Sequence, residues 1–591
     1  MATFSLWDYL VLVVMLIISA GIGLYYRFTG GKQKTTKEYF LADGGVSIYP
    51  VSFSLMASFM SAITLLGLST EIYTYGILFV VINFSYGFAT ALSAFFYLPV
   101  FYKLQATSAY EYLEKRFGAT TRLIASITYS LQMILYMGVV LYAPALALEA
   151  VTGISKENSI LIIGFVCTFY STIGGMKAVL VTDVFQSLLM FAAIYCVIIA
   201  AAIHVGGIGE IWNISREGGR LNFFNFDLDP TVRHTWFSLI IGGFFTYSTI
   251  YACNQTQVQR MLTVKNLKAS QKAMFLNWPI LSLLSLSTCF SGLCLYAYYA
   301  KCDPLLHGDI TSRDQLMPRF VVDAMGHWPG LSGIFVSGIF SASLSSVSAA
   351  QNSLAAVTLE DYIKPLYSYI KGKPLKETKS TLPSKIIAFL YGLVCIGVAF
   401  LAQYFGGILQ LSLSIFGAVG GPLLGMFSLG MFTLRGNQRG AITGLIISLV
   451  FVLWIGFSPK PLPPTLNFSK DGCPNTPSLV TTPVPITTPA PTNATEIEYF
   501  WLYKISYMWY APLGFFLSLI IGWIVSVILE SFNLGGEPTI YTDKNRTIIN
   551  ADLFTPPLAK RLRKRNAEIM GKNFAVANGD FGAHTENSTH F

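Results

Sequence analysis

The chain has 591 residues, with 39 Lys and Arg against 30 Asp and Glu and a net charge of +9. Charged residues make up 12% and the hydrophobic class 53%, against about 25% charged in an ordinary soluble domain. That is too little charge to coat the several soluble domains this length would need, and too much apolar content for a disordered chain, so a polytopic membrane protein is left.

Apolar runs of about 20 residues, enough to cross a hydrocarbon core roughly 30 Å thick, fall at 5–26, 48–71, 77–101, 122–148, 158–175, 180–205, 236–256, 273–299, 330–358, 384–404, 408–434, 440–457 and 507–529. In hydrocarbon every backbone N–H and C=O must be paired, so each run predicts a helix. The first run lacks a positive leader and a small-residue cleavage site, and is expected to stay in place. The second reads Pro50-Val-Ser-Phe-Ser-Leu-Met-Ala-Ser-Phe-Met-Ser-Ala-Ile-Thr-Leu-Leu-Gly67, with Ser54, Ala57, Ser58, Ser61 and Thr64 clustered mid-span. The seventh has Gly242-Gly243 mid-span, then Thr246-Tyr-Ser-Thr249. These two runs stand five apart, where an inverted five-plus-five repeat places its two broken helices. Gly and Ser that merely allow close helix packing remain the alternative.

Within the ninth run, residues 337–353 contain seven serines, Ser337, Ser341, Ser343, Ser345, Ser346, Ser348 and Ser353. Ala342, Ser345 and Ser346 share one helix face. A bare sodium ion needs several hard oxygens, and hydroxyls with freed backbone carbonyls supply them without fixed charge. Back-bonding of the serines to their own helix is the competing reading. Among acids, Asp183 lies inside an apolar run, where a carboxylate is costly and a functional candidate. Glu71 at a predicted outer helix end, and Glu360-Asp361 at an inner one, read as solvated or capping.

Orientation follows from cations. With the N-terminus outside and thirteen crossings, 29 of the 39 Lys and Arg fall in inside segments, a clear positive-inside signal that leaves the C-terminus cytoplasmic. Residues 458–503 are rich in Pro and Thr and read as an exposed extracellular loop. The sequons at Asn213, Asn467 and Asn493 all fall outside in that topology. Cys302 and Cys473 lie in two different outside loops, and the oxidising compartment predicts a disulfide; the other six cysteines read as buried thiols. In the tail, Lys560-Arg-Leu-Arg-Lys-Arg565 is read as held at anionic lipid or as a solvated topology or export signal. Thr589-His590-Phe591 matches the Ser/Thr-x-apolar ending that adds as a strand to a PDZ-domain edge. The domain reading is a transporter body over 1–530, with core repeats at about 48–205 and 236–434 and a tail at 531–591. There is no P-loop, no GxGxxG before a helix, no HExxH and no GxSxG, so no enzyme and no ATP-driven pump is expected. No nucleic-acid partner is expected either.

At these residues the chain resembles the sodium/solute symporter family of sodium–glucose, iodide, multivitamin and monocarboxylate carriers. The resemblance covers roughly 5–530. It is carried by Ser-Leu-Met-Ala-Ser-Phe-Met-Ser-Ala (54–62), Thr-Ser-Ala-Tyr-Glu-Tyr-Leu (107–113), Gly-Gly-Met-Lys-Ala-Val (174–179), Thr-Asp-Val-Phe-Gln (182–186), Asn-Gln-Thr-Gln-Val-Gln-Arg (254–260) and Ala-Ala-Val-Thr-Leu-Glu-Asp (355–361), among others. It looks most like the monocarboxylate, iodide and multivitamin branch.

The resemblance implies an all-α fold of about thirteen transmembrane helices, an inverted-repeat core, broken helices and alternating access. It implies Na+ as the coupling ion, with the main site on the carbonyls of Ala57, Met60 and Ala342 and the hydroxyls of Ser345 and Ser346. A second sodium site would use Ser58, Asp183 and Ser348. Substrate positions would be Phe59, Thr64, Asn83, Tyr86 and Tyr247. Sugar carriers place amide and acid groups where this chain has Phe59, Ile63 and Thr64, and unpaired sugar hydroxyls are expensive. The expected cargo is therefore a small organic anion, such as lactate, pyruvate, a short fatty acid or nicotinate, carried into the cell at the plasma membrane. A multivitamin or iodide carrier is the runner-up; a sodium leak channel or non-transporting sensor stands outside the class. One departure is Glu71-Ile-Tyr-Thr-Tyr-Gly76, where Thr74 replaces the branch's arginine. No other Lys or Arg is read as lying mid-span to substitute for it.

Overall fold

The computed structural model describes residues 4–28, 36–105, 107–375, 380–404, 407–474, 499–532, 541–543 and 546–583. Asn493, Thr589 and Phe591 lie outside them. Among the described residues the fold is helical apart from one short antiparallel strand pair, Tyr541–Asp543 with Arg546–Ile548. Ten helices are long and apolar enough to cross a membrane. Two shorter apolar helices, Ile48–Ala57 and Ser238–Cys253, together with the 158–175 stretch inside a longer helix, account for the remaining predicted runs.

The elements that position the site are α1 (Leu6–Phe28), α2 (Ile48–Ala57), α3 (Ser69–Tyr75), α4 (Ile82–Leu92), α5 (Ala119–Thr152) and α6 (Lys156–Val205). They continue as α7 (Gly243–Cys253), α8 (Gln255–Met261), α9 (Leu267–Tyr299), α10 (Leu331–Val357), α11 (Thr381–Ala402), α12 (Ile408–Ile415), α13 (Gly421–Phe432), α14 (Gln438–Phe457), α15 (Tyr510–Ser531) and α16 (Pro556–Ala583). Helix α10 is the centre of the molecule. It packs on α5, α6, α1 and α11, and it is buried almost all round. Helices α14 and α15 pack together at the periphery, with α13 beside them.

The second run is broken, as expected. Helix α2 stops at Ala57, and the N–H groups of Ser58, Phe59 and Met60 reach back to Ser54 and Met56 carbonyls. Beyond the break, Ser61 acts as a cap: its hydroxyl accepts from the Ile63 N–H at 3.2 Å and its carbonyl from Thr64 and Leu65. The hydroxyl satisfies an orphan donor of the new helix end, which is why the chain can restart there. The carbonyls of Ala57 to Met60 fall between these two sets of bonds.

The seventh run breaks elsewhere than the glycines suggest. Gly242-Gly243 is continuous helix. The break falls at Asn254, which is extended (φ −77°, ψ 123°) and whose side chain accepts from the Thr256 N–H to cap α8. The glycines serve packing. A Cβ on Gly242 would stand 2.4 Å from the Met508 carbonyl oxygen, and one on Gly243 2.9 Å from Ser85. Helix α6 carries its own interruption at Gly175, whose φ of 69° is left-handed backbone that a side chain would strain.

The predicted disulfide forms between Cys302 and Cys473. It does not stand alone. The Asp303 N–H bonds the Ser469 carbonyl, the Gly472 N–H the Lys301 carbonyl and the Leu466 N–H the Thr74 carbonyl. Residues 458–474 are therefore strapped across this face and are not a free loop. Asn213 and Asn467 are both exposed. At the opposite end, Thr555 donates its N–H to the Met431 carbonyl, and Phe554 is buried beneath the Arg116 guanidinium. The first part of the tail thus folds back onto the body. In α16, Ala559 and Leu562 are buried while Lys560, Arg561, Arg563, Lys564 and Arg565 are exposed.

Candidate functional site

The break after α2 meets α10. The Ser346 hydroxyl donates to the Ala57 carbonyl at 3.4 Å, across 289 positions of sequence. Next to it, the Ser345 hydroxyl donates to Asp183 Oδ1 at 2.7 Å. Ala342 is fully buried one turn earlier on the same face, and Met60 is buried on the broken segment. The serines of α10 divide by role. Ser343 bonds the Val140 carbonyl. Ser348 bonds back to its own helix, and Ser353 does so while also pairing with the Tyr129 and Thr256 hydroxyls. The buried hydroxyls of Ser337 and Ser341 have no hydrogen-bond partner among the described residues.

Asp183 is completely buried. Besides Ser345 it accepts from the Ser54 hydroxyl at 2.5 Å and lies 3.5 Å from Arg260 Nη2. Arg260 Nε in turn donates to the Ser54 hydroxyl at 2.8 Å. Arg260 falls between the predicted runs 236–256 and 273–299, in a segment the cation count places inside, yet it is fully buried, as is the whole of α8 after the break at Asn254. Ser58 and Ser348, expected beside Asp183, spend their hydroxyls on the Ser54 and Ser345 carbonyls. The contacts the structure gives Asp183 are Ser54, Ser345 and Arg260. The Asn-Gln-Thr-Gln-Val-Gln-Arg run carried the signal for Arg260: so many amides beside a cation make little sense at a lipid face.

Beyond this cluster lies a central cavity of about 40 Å3, lined by Phe59, Thr64, Tyr86 and Tyr247 together with Tyr136, Leu409, Ser412 and Phe416. That is space for only a few waters, so the cavity is closed down in this form. The Tyr247 hydroxyl donates to that of Tyr86 at 3.0 Å, with ring centroids 4.2 Å apart. Phe59 packs against the Tyr136 and Phe416 rings, with centroids 6.0 and 5.4 Å away. Asn83 does not join them: its amide donates to the Val80 carbonyl at 2.8 Å, and it is absent from the cavity wall. The contribution of α12 and its π-helical continuation was not legible in the sequence, because that run is mostly apolar and its few polar residues, Gln410, Ser412 and Ser414, match no site pattern.

A charged layer closes the cavity toward the disulfide-bearing face. Arg233 donates to both oxygens of Glu71, at 2.6 and 3.0 Å, and to Gln410 on α12 at 2.7 Å. His234 is buried and its ring nitrogen lies 2.9 Å from the Tyr507 hydroxyl. Burial first, and then the neighbouring Arg233 charge, hold its pKa well below the usual histidine range, so it is neutral. Glu71 is therefore not a solvated helix end but half of a buried ion pair. The cation missing at Thr74 is present nearby, since Arg233 stacks 4.2 Å over the Tyr75 ring. Asp361 at the other end is likewise buried, 2.5 Å from Arg122, and accepts from Ser108 at 2.9 Å. A carboxylate entering low dielectric stays ionised only with such a partner.

The sodium:solute symporter family model matches residues 39–448. A Drosophila melanogaster protein provisionally named a sodium-dependent multivitamin transporter is 56% identical over 576 residues, which is 96% of this chain and 94% of that one. The human sodium-coupled monocarboxylate transporter 1 is 41% identical over 93% of this chain and 92% of its own. Among solved structures, a substrate-bound, outward-open Na+-coupled sialic acid symporter superposes with a TM-score of 0.71 at 25% identity, covering 89% of this chain and 98% of that one.

Proposed function

Given that the chain belongs to the sodium:solute symporter family, we propose that it carries a small organic anion bearing one carboxylate, together with sodium, into the cell. Sodium-coupled solute symport follows from the family and the relatives; the substrate class and the site are our reading. The observation that carries the site is the Ser346 hydroxyl standing 3.4 Å from the Ala57 carbonyl at a helix break. Oxygens that close, from two opposed helices, can ligate one dehydrated cation. Ala342, Ser345 and Met60 complete the candidate set around it. Such a cage exists only when α2 and α10 are held together, so ion binding stabilises one arrangement of the core over the other.

The substrate reading rests on the cavity wall. Phe59, Tyr86, Tyr136, Tyr247 and Phe416 offer aromatic faces and few hydrogen bonds, which suits an apolar body with a single polar end. A monocarboxylate such as lactate, nicotinate or a short fatty acid fits that description. So do biotin and pantothenate, and the 56% identity to a protein named for multivitamin transport favours that second reading. The orientation, with the disulfide face outside at the plasma membrane, follows the positive-inside count. Inward movement of each net charge would then draw about 2.3 kcal/mol per 100 mV.

The test is radiolabelled uptake across lactate, nicotinate, biotin, pantothenate, iodide and glucose, with and without sodium. In the responding case, Ser346→Ala and Ser345→Ala should each raise the sodium concentration for half-maximal uptake by roughly tenfold, the size of one hydrogen-bond-class contact to a charge. Unchanged sodium dependence in both, at normal surface abundance, would dismiss the site.

A further inference from the structure

On the disulfide-bearing side of the Glu71–Arg233 layer lies a second and much larger cavity, of about 550 Å3. It is separated from the central cavity by a single layer: Gln410 lines the outer space and its neighbour Leu409 the inner one. Its wall contains Arg233, Lys460 and Lys504 and no Asp or Glu. Arg233 is committed to Glu71. Lys460 is different. Its ammonium donates to the Tyr510 hydroxyl and lies 4.7 Å from that ring's centroid, and no carboxylate pairs with it among the described residues. The ammonium is half-buried, and burial draws its pKa from the ordinary lysine value down to about 8.

A cation in a concave wall with no counter-ion focuses a field that attracts anions. Asn222, Asn225, Thr231 and Ser506 add uncharged polar groups, and much of the remaining wall is apolar and stiff. Pro461, Pro463 and Pro464 fix the backbone on one side, and Tyr503 and Tyr507 present rings on the other. The extended segment that carries Lys460 is fastened downstream by the Leu466–Thr74 bond, by Arg220 donating to the Asn467 carbonyl at 2.7 Å, and by the disulfide.

We infer that this vestibule is an outer subsite for an organic monocarboxylate, with the carboxylate on Lys460, Lys504 at the mouth, and the apolar body against the proline and tyrosine wall. It acts as a holding position outside the gate, independent of sodium. Only the claim that the held anion is also the transported solute rests on the proposed function.

The experiment uses the purified full-length chain in sodium-free choline buffer, with radiolabelled butyrate and radiolabelled biotin as probes. Wild type should bind at least one probe without sodium. Lys460→Met should weaken that binding about fivefold, the upper range for a partly exposed charge pair, while Lys460→Arg keeps it. In sodium-driven uptake, Lys460→Met should raise KM by a similar factor at unchanged maximal rate and unchanged sodium affinity. Lys504→Met serves as the second variant should Lys460→Met be poorly folded, with a smaller weakening expected. Absence of sodium-free binding in wild type, or equal binding in wild type and Lys460→Met, would overturn the subsite. Displacement of the probe by equimolar iodide would also overturn it, since the apolar wall would then contribute nothing. Sodium-free binding that is lost in Lys460→Met, in a protein that takes up neither probe, would uphold the subsite and reject the transport reading instead.

Discussion

Removing Arg233 should be among the most damaging single changes outside the core helices. Its guanidinium makes two bonds to Glu71 and one to Gln410, and the two side chains are only 12% and 7% exposed. Arg233→Met keeps much of the volume but leaves the Glu71 carboxylate buried without its partner. Breaking a buried pair this way costs about 3–5 kcal/mol, or between two and four powers of ten in the folded fraction. Glu71→Gln combined with Arg233→Met removes both charges, and should cost only about 1–2 kcal/mol for the lost hydrogen bonds. The double variant is thus expected to be more stable than Arg233→Met alone, a non-additivity that pairwise contact predicts.

Melting of the detergent-solubilised variants reads the difference, and equal stability of the single and double variants would refute the argument.

Cys302→Ser or Cys473→Ser should lower stability by about 2–4 kcal/mol, since the bridge closes a loop of 171 residues; surface abundance and melting under non-reducing conditions would read it. Gly242→Ala should cost about 1–3 kcal/mol by overpacking, because the new methyl would sit 2.4 Å from the Met508 carbonyl. If Gly242 were a hinge instead, the variant would keep its stability and lose turnover.

What the residues alone determined is what local chemistry decides. A bilayer tests each stretch of about 20 residues separately, so the thirteen runs could be read one at a time. The Cys302–Cys473 pairing needed only a shared compartment. The broken second run was legible because Ser58 and Ser61 lie within it and cap it locally. The second break was misplaced for a related reason: Gly242-Gly243 has two readings locally, and only the close approach of Met508 selects packing over bending.

The pairings of charge belong to the tertiary structure. Glu71 and Arg233 stand 162 positions apart and Asp183 and Arg260 77 apart. No local pattern marks such partners, because each acid alone looks like a helix end or an isolated anomaly. Asn83 shows the converse, a polar residue that resemblance sends to the cavity and that local bonding turns to Val80. Burial makes an unpaired charge expensive, but which distant group relieves it is settled only when the helices pack.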